Sequence, residues 1–230
     1  MSGPASPSTL VVGDGDVPER AALDRAWPGW AAGVTLVIGA DGGAAHALAL
    51  GWRPDLVIGD LDSLAPEDAD RLALAGVPLE RWPVAKDESD LELALRAALR
   101  RSPAPVTVLG ALGGPRLDHE LANVWLLALP AADRGRRVTL LDARSRVRLL
   151  RGPGDLELQG RAGDLVTLLP FAGPARGVRT TGLAYRLDGA TLAVGPSRGL
   201  SNVRMGERAA VSLERGRLLI VESHPMEDPS

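Results

Sequence analysis

The sequence has 230 residues, of which 45 % are hydrophobic, and its 26 basic and 29 acidic residues give a net charge of −3. This balance excludes the clustered basic surface with which proteins bind nucleic acids or anionic membranes, and no apolar run reaches the roughly 20 residues of a membrane-spanning helix. The sequence contains no cysteine, which excludes disulfide bonds and cysteine-bound zinc, so a bound metal would need oxygen or imidazole ligands.

The N-terminal half alternates short β-rich runs with amphipathic segments, an order that is typical of βαβ units. Strands are predicted in the runs TLVVG, VTLVIGA, PDLVIGD, VTVLGA and VTLLDA. Helices are predicted over residues 44–50, 66–75, 90–101 and 117–129, and the last of these is expected to stop at Pro130. These elements predict a parallel sheet covered by helices.

The pattern changes near residue 143. Short alternating strands follow, separated by turn residues at intervals of roughly 8 to 12 positions, as in RVRLL, GDLELQG, DLVTLLP, GVRTTG and RAAVSLERGRLLIVES. This pattern predicts an antiparallel β sandwich. The expected fold class is therefore α/β plus all-β, with an α/β domain over residues 1–143 and a β-sandwich domain over residues 144–230.

Aspartates follow two of the predicted strands, at the edge where open parallel sheets usually bind their ligands. Asp41 comes directly after VTLVIGA, whereas Asp60 and Asp62 follow the next strand. Asp87 and Asp90 lie at the start of the helix predicted over residues 90–101. Simpler interpretations stay open, because acids in a first helical turn commonly stabilise it by about 0.3–1 kcal/mol, and Asp and Ser are common in plain turns.

Several carboxylates at one sheet edge would repel one another and raise each other's pKa unless a cation neutralised them. Mg²⁺ prefers oxygen ligands and usually binds one or two carboxylates together with substrate phosphates, so the pattern predicts a magnesium–nucleotide site. The sequence contains no GxxxxGK[ST], and no GxGxxG opens a helix after a strand. Phosphate contacts are instead expected from the glycine-rich turns at residues 41–43 and 110–116, where backbone N–H groups are unobstructed.

Four segments together resemble the thiamine pyrophosphokinase family. They are ADGGAAHALALGWRPDLVIGDLDSL, KDESDLELAL, LGALGGPRLDHELANV and GLSNVRMGERAAVSLERGRLLIV, in the order and spacing of that family. The resemblance implies an N-terminal α/β domain that binds ATP with magnesium, followed by a β sandwich that helps to bind thiamine. It also implies a homodimer with active sites at the subunit interface, in which diphosphate passes from ATP to the thiamine hydroxyl and AMP is released.

The expected site residues, taken from the residue patterns and from the resemblance together, fall into three sets. The implied metal ligands are Asp41, Asp60, Asp62, Asp87 and Asp90. The residues expected to act in catalysis are Asp62, Asp87, Asp90, Lys86, Arg116, Asp118 and His119. Contacts to substrates are expected from Asp41, Gly42, Gly43, Ser63, Gly113, Gly114, Asn123, Ser201 and Asn202.

Lys86 is the only lysine of the sequence, whose other basic residues are all arginine. An ammonium group is a compact point charge that fits among carboxylates and phosphates, whereas a guanidinium group is wide and planar. We therefore expect Lys86 to neutralise charge on the transferred diphosphate. The alternative is compositional drift towards arginine that spared one lysine by accident. Two interpretations also stay open for His119, a general base for the thiamine hydroxyl or a structural partner of Asp118.

The chain departs from the family pattern at three places. Pro115 separates Gly114 from Arg116, where many members run directly from glycine to arginine, and Ser89 stands where threonine is usual. No aromatic residue follows Tyr185, so the tryptophan that stacks on thiamine in animal members has no counterpart near Asn202. Stacking would then fall to Trp125 or another early residue, or be weaker.

The expected function is thiamine pyrophosphokinase activity, with thiamine and ATP as small-molecule partners and Mg²⁺ as cofactor. The composition favours neither nucleic acid nor membrane as a partner. The start MSGPASPST lacks the basic and apolar segments of a secretory signal, so a cytoplasmic protein is expected. Two alternatives are a magnesium-dependent nucleotide pyrophosphohydrolase, in which water replaces the alcohol, and a non-catalytic thiamine or nucleotide sensor.

Overall fold

The structure is a computed structural model that describes residues 5–129 and 137–225. These residues form two compact units, one ending at Ala143 and the other beginning at Arg144. The N-terminal unit combines strands with helices, and the regular structure of the C-terminal unit consists of strands. No helix in the described ranges combines the length and the apolar character that a membrane span requires.

A parallel sheet forms the centre of the N-terminal unit. Its neighbouring strands are all parallel, and their Val-, Leu- and Ile-rich sequences fit a sheet whose two faces are both covered. The strands are β1 (Ser8–Val12), β2 (Val34–Ala40), β3 (Leu56–Gly59), β4 (Leu79–Arg81), β5 (Val106–Leu109) and β6 (Val138–Leu141). Their order in the sheet is β6-β5-β1-β2-β3-β4, so β1 lies between β2 and β5.

Helices lie between these strands along the chain. In the described part of the unit they are α1 (Arg20–Ala26), α2 (Gly43–Ala49), α3 (Pro66–Leu74), α4 (Asp90–Arg101) and α5 (Leu117–Trp125). A 3-10 turn, Leu126–Ala128, follows α5 directly. β1 and α1 share an apolar cluster to which Leu10, Val12 and Leu23 contribute. Trp27 lies in the same cluster, and its indole Nε1 donates a hydrogen bond to Asp142 O at 2.7 Å, so this buried polar group has a partner.

α4 forms because local signals and tertiary packing agree. Ser89 caps the helix, since its Oγ accepts a hydrogen bond from Glu92 N at 3.2 Å. The buried face includes Leu91, Leu95 and Leu99, and burying one such leucine contributes about 1.5–3 kcal/mol. The helix packs against β1, β2 and β3, which places its first residues beside the carboxyl ends of these strands.

The C-terminal unit consists of two antiparallel sheets. Its strands are β7 (Ser145–Arg151), β8 (Gly154–Gln159), β9 (Leu165–Pro170), β10 (Ala175–Thr181), β11 (Ala190–Leu192), β12 (Asn202–Val203), β13 (Arg208–Leu213) and β14 (Arg217–Ser223). One sheet has the order β12-β9-β14-β7 and the other β11-β10-β13-β8. Side chains from both sheets, among them Leu158, Leu168, Val178, Val211 and Ile220, form one apolar core. This is a β sandwich.

A charged group is buried in this unit. The Glu222 carboxylate accepts hydrogen bonds from Arg146 Nη2 at 2.7 Å, from Arg204 Nη2 at 2.8 Å and from Arg148 Nη2. Arg204 also donates to Leu158 O at 2.8 Å and is only 1 % exposed. Burial lowers the pKa of Arg148 and of Arg204, although Glu222 opposes that effect. We refer to Glu222 and these three arginines as the buried arginine cluster.

The predicted fold class, α/β plus an antiparallel β sandwich, is confirmed. The sequence prediction lacked the short elements α1, β4 and β12. The helix predicted over residues 117–129 begins at Leu117 but ends at Trp125, where the chain tightens into the 3-10 turn. Pro130, the expected stop, lies outside the described residues.

Candidate active site

A cavity of about 470 Å³ lies at the carboxyl ends of β1, β2, β3 and β5. The loops after these strands line it, together with the first residues of α4 and part of α5. Open parallel sheets usually bind their ligands at this edge. The predicted site residues that line the cavity are Asp41, Asp60, Asp62, Ser63, Lys86, Asp90, Gly113, Gly114, Arg116, His119 and Asn123.

Three of the predicted metal ligands come together in this cavity. Asp41, Asp60 and Asp62 can each place one carboxylate oxygen within 4.8 Å of the other two. Asp41 has a φ of 50° and Leu61, between the other two acids, has a φ of 65°. Such left-handed values are uncommon outside glycine and concentrate at functional sites.

Asp41 has the most unusual environment of the three. It is 5 % exposed, its Oδ2 accepts a weak hydrogen bond from Ser63 N at 3.4 Å, and its buried Oδ1 has no hydrogen-bond partner among the described residues. Burial raises the pKa of Asp41 to about 6, although the hydrogen bonds with Ser63 act in the opposite direction. The ionised carboxylate therefore costs free energy at neutral pH unless a cation binds there.

These features fit a divalent cation that prefers oxygen ligands. The group consists of three carboxylates, and the buried Oδ1 atom of Asp41 lacks the partner that a metal ion would provide. Mg²⁺ takes oxygen ligands and needs only a few of them from the protein, because water and phosphate oxygens complete its coordination. Asp41, Asp60 and Asp62 are therefore the residues that could hold it.

Lys86 contacts two of the aspartates that line the cavity. Its Nζ lies 3.2 Å from Asp60 Oδ2 and 3.1 Å from Asp90 Oδ1. Burial lowers the pKa of Lys86, but the hydrogen bonds and charges of Asp90 and Asp60 outweigh burial and raise this pKa above its ordinary value. A hydrogen bond from Asp62 N lowers the pKa of Asp60, and Lys86 lowers it further against the opposing effect of burial. Lys86 is therefore a cation in contact with the side chains of Asp60 and Asp90.

Asp87, the remaining predicted metal ligand, is placed differently. It is exposed and lies outside the cavity lining, whereas its neighbour Glu88 lines the cavity. The reason is local: Asp87 precedes the Ser89 cap, in the turn that leads into α4, and it extends into solvent there. The structure thus brings Asp41, Asp60, Asp62 and Asp90 to one cavity but not Asp87.

The glycines at residues 42 and 43 have a packing role. A Cβ atom on Gly42 would lie 2.0 Å from Asp14 Oδ1, and one on Gly43 would lie 2.1 Å from Val12 O. Both residues therefore let the start of α2 approach β1 and the loop after it. Neither glycine lines the cavity, so the expected phosphate contact at this turn has no support from the geometry.

The second glycine-rich turn is open to the cavity. Gly113 and Gly114 have φ values of 76° and 86°, which favour glycine, and a Cβ on Gly114 would meet no atom within 4 Å. Arg116 lines the cavity even though Pro115 precedes it. Its Nε and Nη2 donate to the two carboxylate oxygens of Asp118 at 3.1 and 2.5 Å.

The pairing of Arg116 with Asp118 gives Asp118 a different role from its neighbour His119. The hydrogen bond from Arg116 lowers the pKa of Asp118 to about 2, and Asp118 itself lies outside the cavity lining. His119 and Asn123 lie on α5 and line the cavity. Asn123 Nδ2 donates to Ala111 O at 3.0 Å, which ties α5 to the loop after β5. Asp118 therefore orients Arg116. Of the neighbours Asp118 and His119, only His119 lines the cavity, where it can meet a ligand.

Sequence reasoning missed the loop after β1. Gly13, Asp14 and Gly15 line the cavity, as do Glu88 and Glu120. A Cβ on Gly15 would lie 2.5 Å from Gly110 O, so this loop packs directly against the loop after β5. The signal was available, because Asp14 follows the strand TLVVG in the same way as Asp41 follows VTLVIGA.

The predicted residues of the C-terminal unit hold its backbone. Asn202 is buried, its Oδ1 accepts hydrogen bonds from Tyr185 N and Val203 N, both at 2.9 Å, and its Nδ2 donates to Tyr185 O at 2.7 Å. Ser201 has a φ of 52°, and its N–H donates to Thr167 Oγ1 at 3.0 Å. Tyr185 itself is 70 % exposed. The Asn202 amide thus fixes the backbone of an exposed aromatic residue.

Trp125, which the sequence offered for stacking on thiamine, is at the end of α5. It is 66 % exposed and lies outside the lining of the described cavity.

Two family models match this chain. The model of the thiamin pyrophosphokinase catalytic domain matches residues 30–140, and the model of the thiamin pyrophosphokinase vitamin B1 binding domain matches residues 155–218. The first range contains Asp41, Asp60, Asp62 and Lys86, and the second contains Asn202. Together the two models span most of the chain.

Individual proteins give the same result. A thiamine pyrophosphokinase from Bacillus subtilis is 28 % identical over 190 residues, which cover 82 % of this chain and 87 % of that protein. Its crystal structure has a TM-score of 0.82 at 26 % identity and covers 95 % of this chain and 100 % of the other. The Geobacillus thermodenitrificans thiamin pyrophosphokinase structure has a TM-score of 0.78 at 29 % identity, with 96 % and 99 % covered. The chain belongs to the thiamine pyrophosphokinase family.

Proposed function

We propose that this protein is a thiamine pyrophosphokinase that transfers diphosphate from ATP to the hydroxyl group of thiamine and releases AMP. The observation that carries the proposal is the group of Asp41, Asp60 and Asp62, with its buried and unpaired oxygen, in a cavity at the ligand-binding edge of the sheet. Membership of the family supplies the substrates, because the matched models describe a catalytic domain and a vitamin B1 binding domain.

Mg²⁺ is proposed as the cofactor, held by Asp41, Asp60 and Asp62. When bound, it would neutralise phosphate charge and thereby favour the build-up of charge on the leaving group. The three carboxylates provide the negative charge that would bind the ion. The pairing of Asp60 with Lys86 lowers the pKa of Asp60 and so favours its ionised form.

The phosphates of ATP are proposed to lie along the turn at Gly113 and Gly114. No side chain covers Gly114, and Arg116 stands next to this turn with its guanidinium oriented by Asp118. A guanidinium group binds phosphate oxygens through two parallel hydrogen bonds. This arrangement positions the diphosphate, and positioning is the main contribution that proteins make to phosphoryl transfer.

The proposed reaction is a direct displacement. The hydroxyl oxygen of thiamine forms a bond to the β-phosphorus while the bond from that phosphorus to the oxygen bridging to the α-phosphorus breaks. AMP leaves with the electron pair, and the hydroxyl proton passes to a base. Of the residues that line the described cavity, His119 is the only imidazole, and one of its ring nitrogens is proposed to accept this proton.

Thiamine is proposed to contact the C-terminal unit near Ser201, Asn202 and Tyr185. The model of the vitamin B1 binding domain covers all three positions. The hydrogen bonds of Asn202 explain how this segment keeps a fixed shape. A homodimer remains the expected assembly, and sedimentation equilibrium of the purified protein tests it.

The experiment that tests the function uses the purified protein with Mg²⁺-ATP, with and without thiamine, and resolves the products by chromatography. Thiamine diphosphate and AMP in equal amounts, both dependent on thiamine, support the proposal. AMP and pyrophosphate formed without thiamine would show a nucleotide pyrophosphohydrolase instead. Binding of either substrate without turnover would show a sensor.

A further inference from the structure

Three protein oxygens lie around the Lys86 ammonium in this structure. Its Nζ contacts Asp60 Oδ2 at 3.2 Å, Asp90 Oδ1 at 3.1 Å and Pro83 O at 3.2 Å. Two of these contacts are hydrogen bonds, to Asp60 Oδ2 and Pro83 O, and the contact with Asp90 Oδ1 is an ion pair. The Lys86 side chain is only 7 % exposed. In this arrangement the charge of Lys86 is paired with two aspartates of the protein.

Asp60 belongs to two groups at once. One of its oxygens pairs with Lys86, and Asp60 is also a member of the carboxylate group that could hold a divalent cation. A divalent ion on Asp41, Asp60 and Asp62 would lie close to the ammonium, and like charges at such short range repel strongly where water is scarce. Each of the two cations therefore weakens the binding of the other.

We propose that Lys86 is an internal counter-ion: it holds Asp60 and Asp90 in the metal-free protein, and the binding of Mg²⁺ displaces it. Displacement frees the N–H donors of Lys86 for the phosphates of the nucleotide, so that the catalytic cation becomes available only when the metal is in place. The inference rests on the proposed magnesium site.

The identity of the residue agrees with this role. A lysine side chain ends in a single point of charge on a flexible stem, so it can leave two carboxylates and reach a new partner by rotation about its own bonds. A guanidinium group spreads its donors over a plane and holds carboxylates by two bonds at a time, which suits a permanent pair. A chain that otherwise uses arginine alone has kept a lysine at this position.

The single lysine also makes the proposal directly measurable. In protein grown with lysine labelled with ¹³C at Cε, Lys86 gives the only side-chain signal. The nucleotide-free protein is titrated with MgCl₂ while calorimetry measures the Mg²⁺ affinity in parallel. We expect the Lys86 signal to shift and to saturate at the calorimetric Kd. A signal that ignores bound Mg²⁺, or a nucleotide-free protein that binds no Mg²⁺, overturns the proposal.

A charge variant provides a second measurement. In Lys86→Met the competing cation is gone, so the Mg²⁺ affinity of the nucleotide-free protein should rise about tenfold, within the range usual for coupling between two sites. Arg96→Met is the matched control: it removes a cation from α4, the helix that follows Lys86, where Arg96 pairs with Glu92 outside the cavity lining, and it should leave the Mg²⁺ affinity unchanged. Equal effects of the two variants, or an unchanged or lower affinity in Lys86→Met, contradict the proposal.

Turnover of the wild-type protein is measured separately. If thiamine diphosphate forms but the Lys86 signal does not respond to Mg²⁺, only this inference is wrong. If the Lys86 signal responds but no thiamine diphosphate forms, the inference stands and the proposed function fails.

Discussion

Asn202 uses its side-chain amide to hold both polar backbone atoms of Tyr185, accepting from Tyr185 N at 2.9 Å and donating to Tyr185 O at 2.7 Å. The two residues are 17 positions apart in the sequence, and this contact joins the segments that contain them. The conformation of the segment around Tyr185 therefore depends on a buried side chain, since Asn202 is 4 % exposed.

Asn202→Ala should lower the free energy of unfolding by about 2–3 kcal/mol, because it leaves the N–H groups of Tyr185 and Val203 without their acceptor. Urea denaturation measures the change. Leu200→Ala is the control in the same segment, and because Leu200 is exposed the change there should stay within about 0.5 kcal/mol. If both variants unfold at the wild-type urea concentration, the Asn202 contacts do not stabilise the unit.

Asp62→Asn should abolish turnover while leaving the thermal midpoint within a few degrees of the wild type. Asp62 is exposed, and its replacement removes a proposed metal ligand without opening a cavity. Product formation at limiting Mg²⁺ and a thermal melt are the measurements. Asp70→Asn, an exposed position on α3, is the matched control and should keep full activity. Near-normal activity of Asp62→Asn at limiting Mg²⁺ would remove Asp62 from the metal site.

Asp41→Asn should stabilise the metal-free protein at pH 8 by about 2–3 kcal/mol. This is the free energy that corresponds to the rise in the pKa of Asp41 from 3.8 in the unfolded chain to about 6 in the folded protein. The folded state holds the Asp41 proton more tightly than the unfolded state. The contribution of Asp41 to the free energy of unfolding is therefore fully present below pH 3.8 and is lost as the pH rises through about 6.

The difference between Asp41→Asn and the wild type should therefore vanish near pH 3.5 and reach its full value above pH 7. Chemical denaturation at several pH values in EDTA measures it. Added Mg²⁺ should stabilise the wild type and not the variant. A pH-independent difference would mean that the ionisation of Asp41 does not carry the effect.

Lys86→Ala should lower kcat much more than it raises KM for thiamine, because Lys86 is proposed to act on the diphosphate during transfer. Lys86→Arg should restore only part of kcat, since it returns the charge in a different geometry. Steady-state kinetics with Mg²⁺-ATP at saturation separate the two constants. Wild-type kcat in Lys86→Arg would show that any cation is sufficient there.

Gly43→Ala should destabilise the protein by about 1–3 kcal/mol or more, because the added Cβ would lie 2.1 Å from Val12 O and the backbone of β1 cannot move aside easily. Gly206→Ala is the control, as nothing lies within 4 Å of its added Cβ and its φ is not left-handed. Thermal melts of the two variants test the prediction. Equal melting temperatures would show that β1 and α2 can separate without cost.

The sequence predicted the aspartates of the site because the strands that precede them could be identified. β2 and β3 are apolar runs, and the ends of parallel strands meet at one edge, so Asp41, Asp60 and Asp62 could be expected to converge. Asp87 and Glu88 could not be distinguished in this way. Which of the two faces the cavity depends on the path of the turn before α4, and residue spacing does not determine that path.

Contacts between distant residues were also beyond the sequence. The pairing of Lys86 with Asp60 depends on side-chain conformations, and the close approach of Gly42 to Asp14 depends on two loops whose packing has no sequence signature. Asn202 could be identified only through the family resemblance, because a buried amide that binds a neighbouring backbone looks the same in sequence as one that binds a ligand.

The buried arginine cluster limits how this protein can change over evolutionary time. Loss of Glu222 alone would leave Arg146, Arg148 and Arg204 without their common counter-charge in a largely buried environment where such groups repel. Loss of Arg204 alone would remove one hydrogen-bond donor from Leu158 O and one cation from Glu222. Replacing the whole set by apolar residues could preserve stability, but every single step towards that state passes through a weakened intermediate. Descendants of this sequence should therefore keep the four residues together or exchange them together.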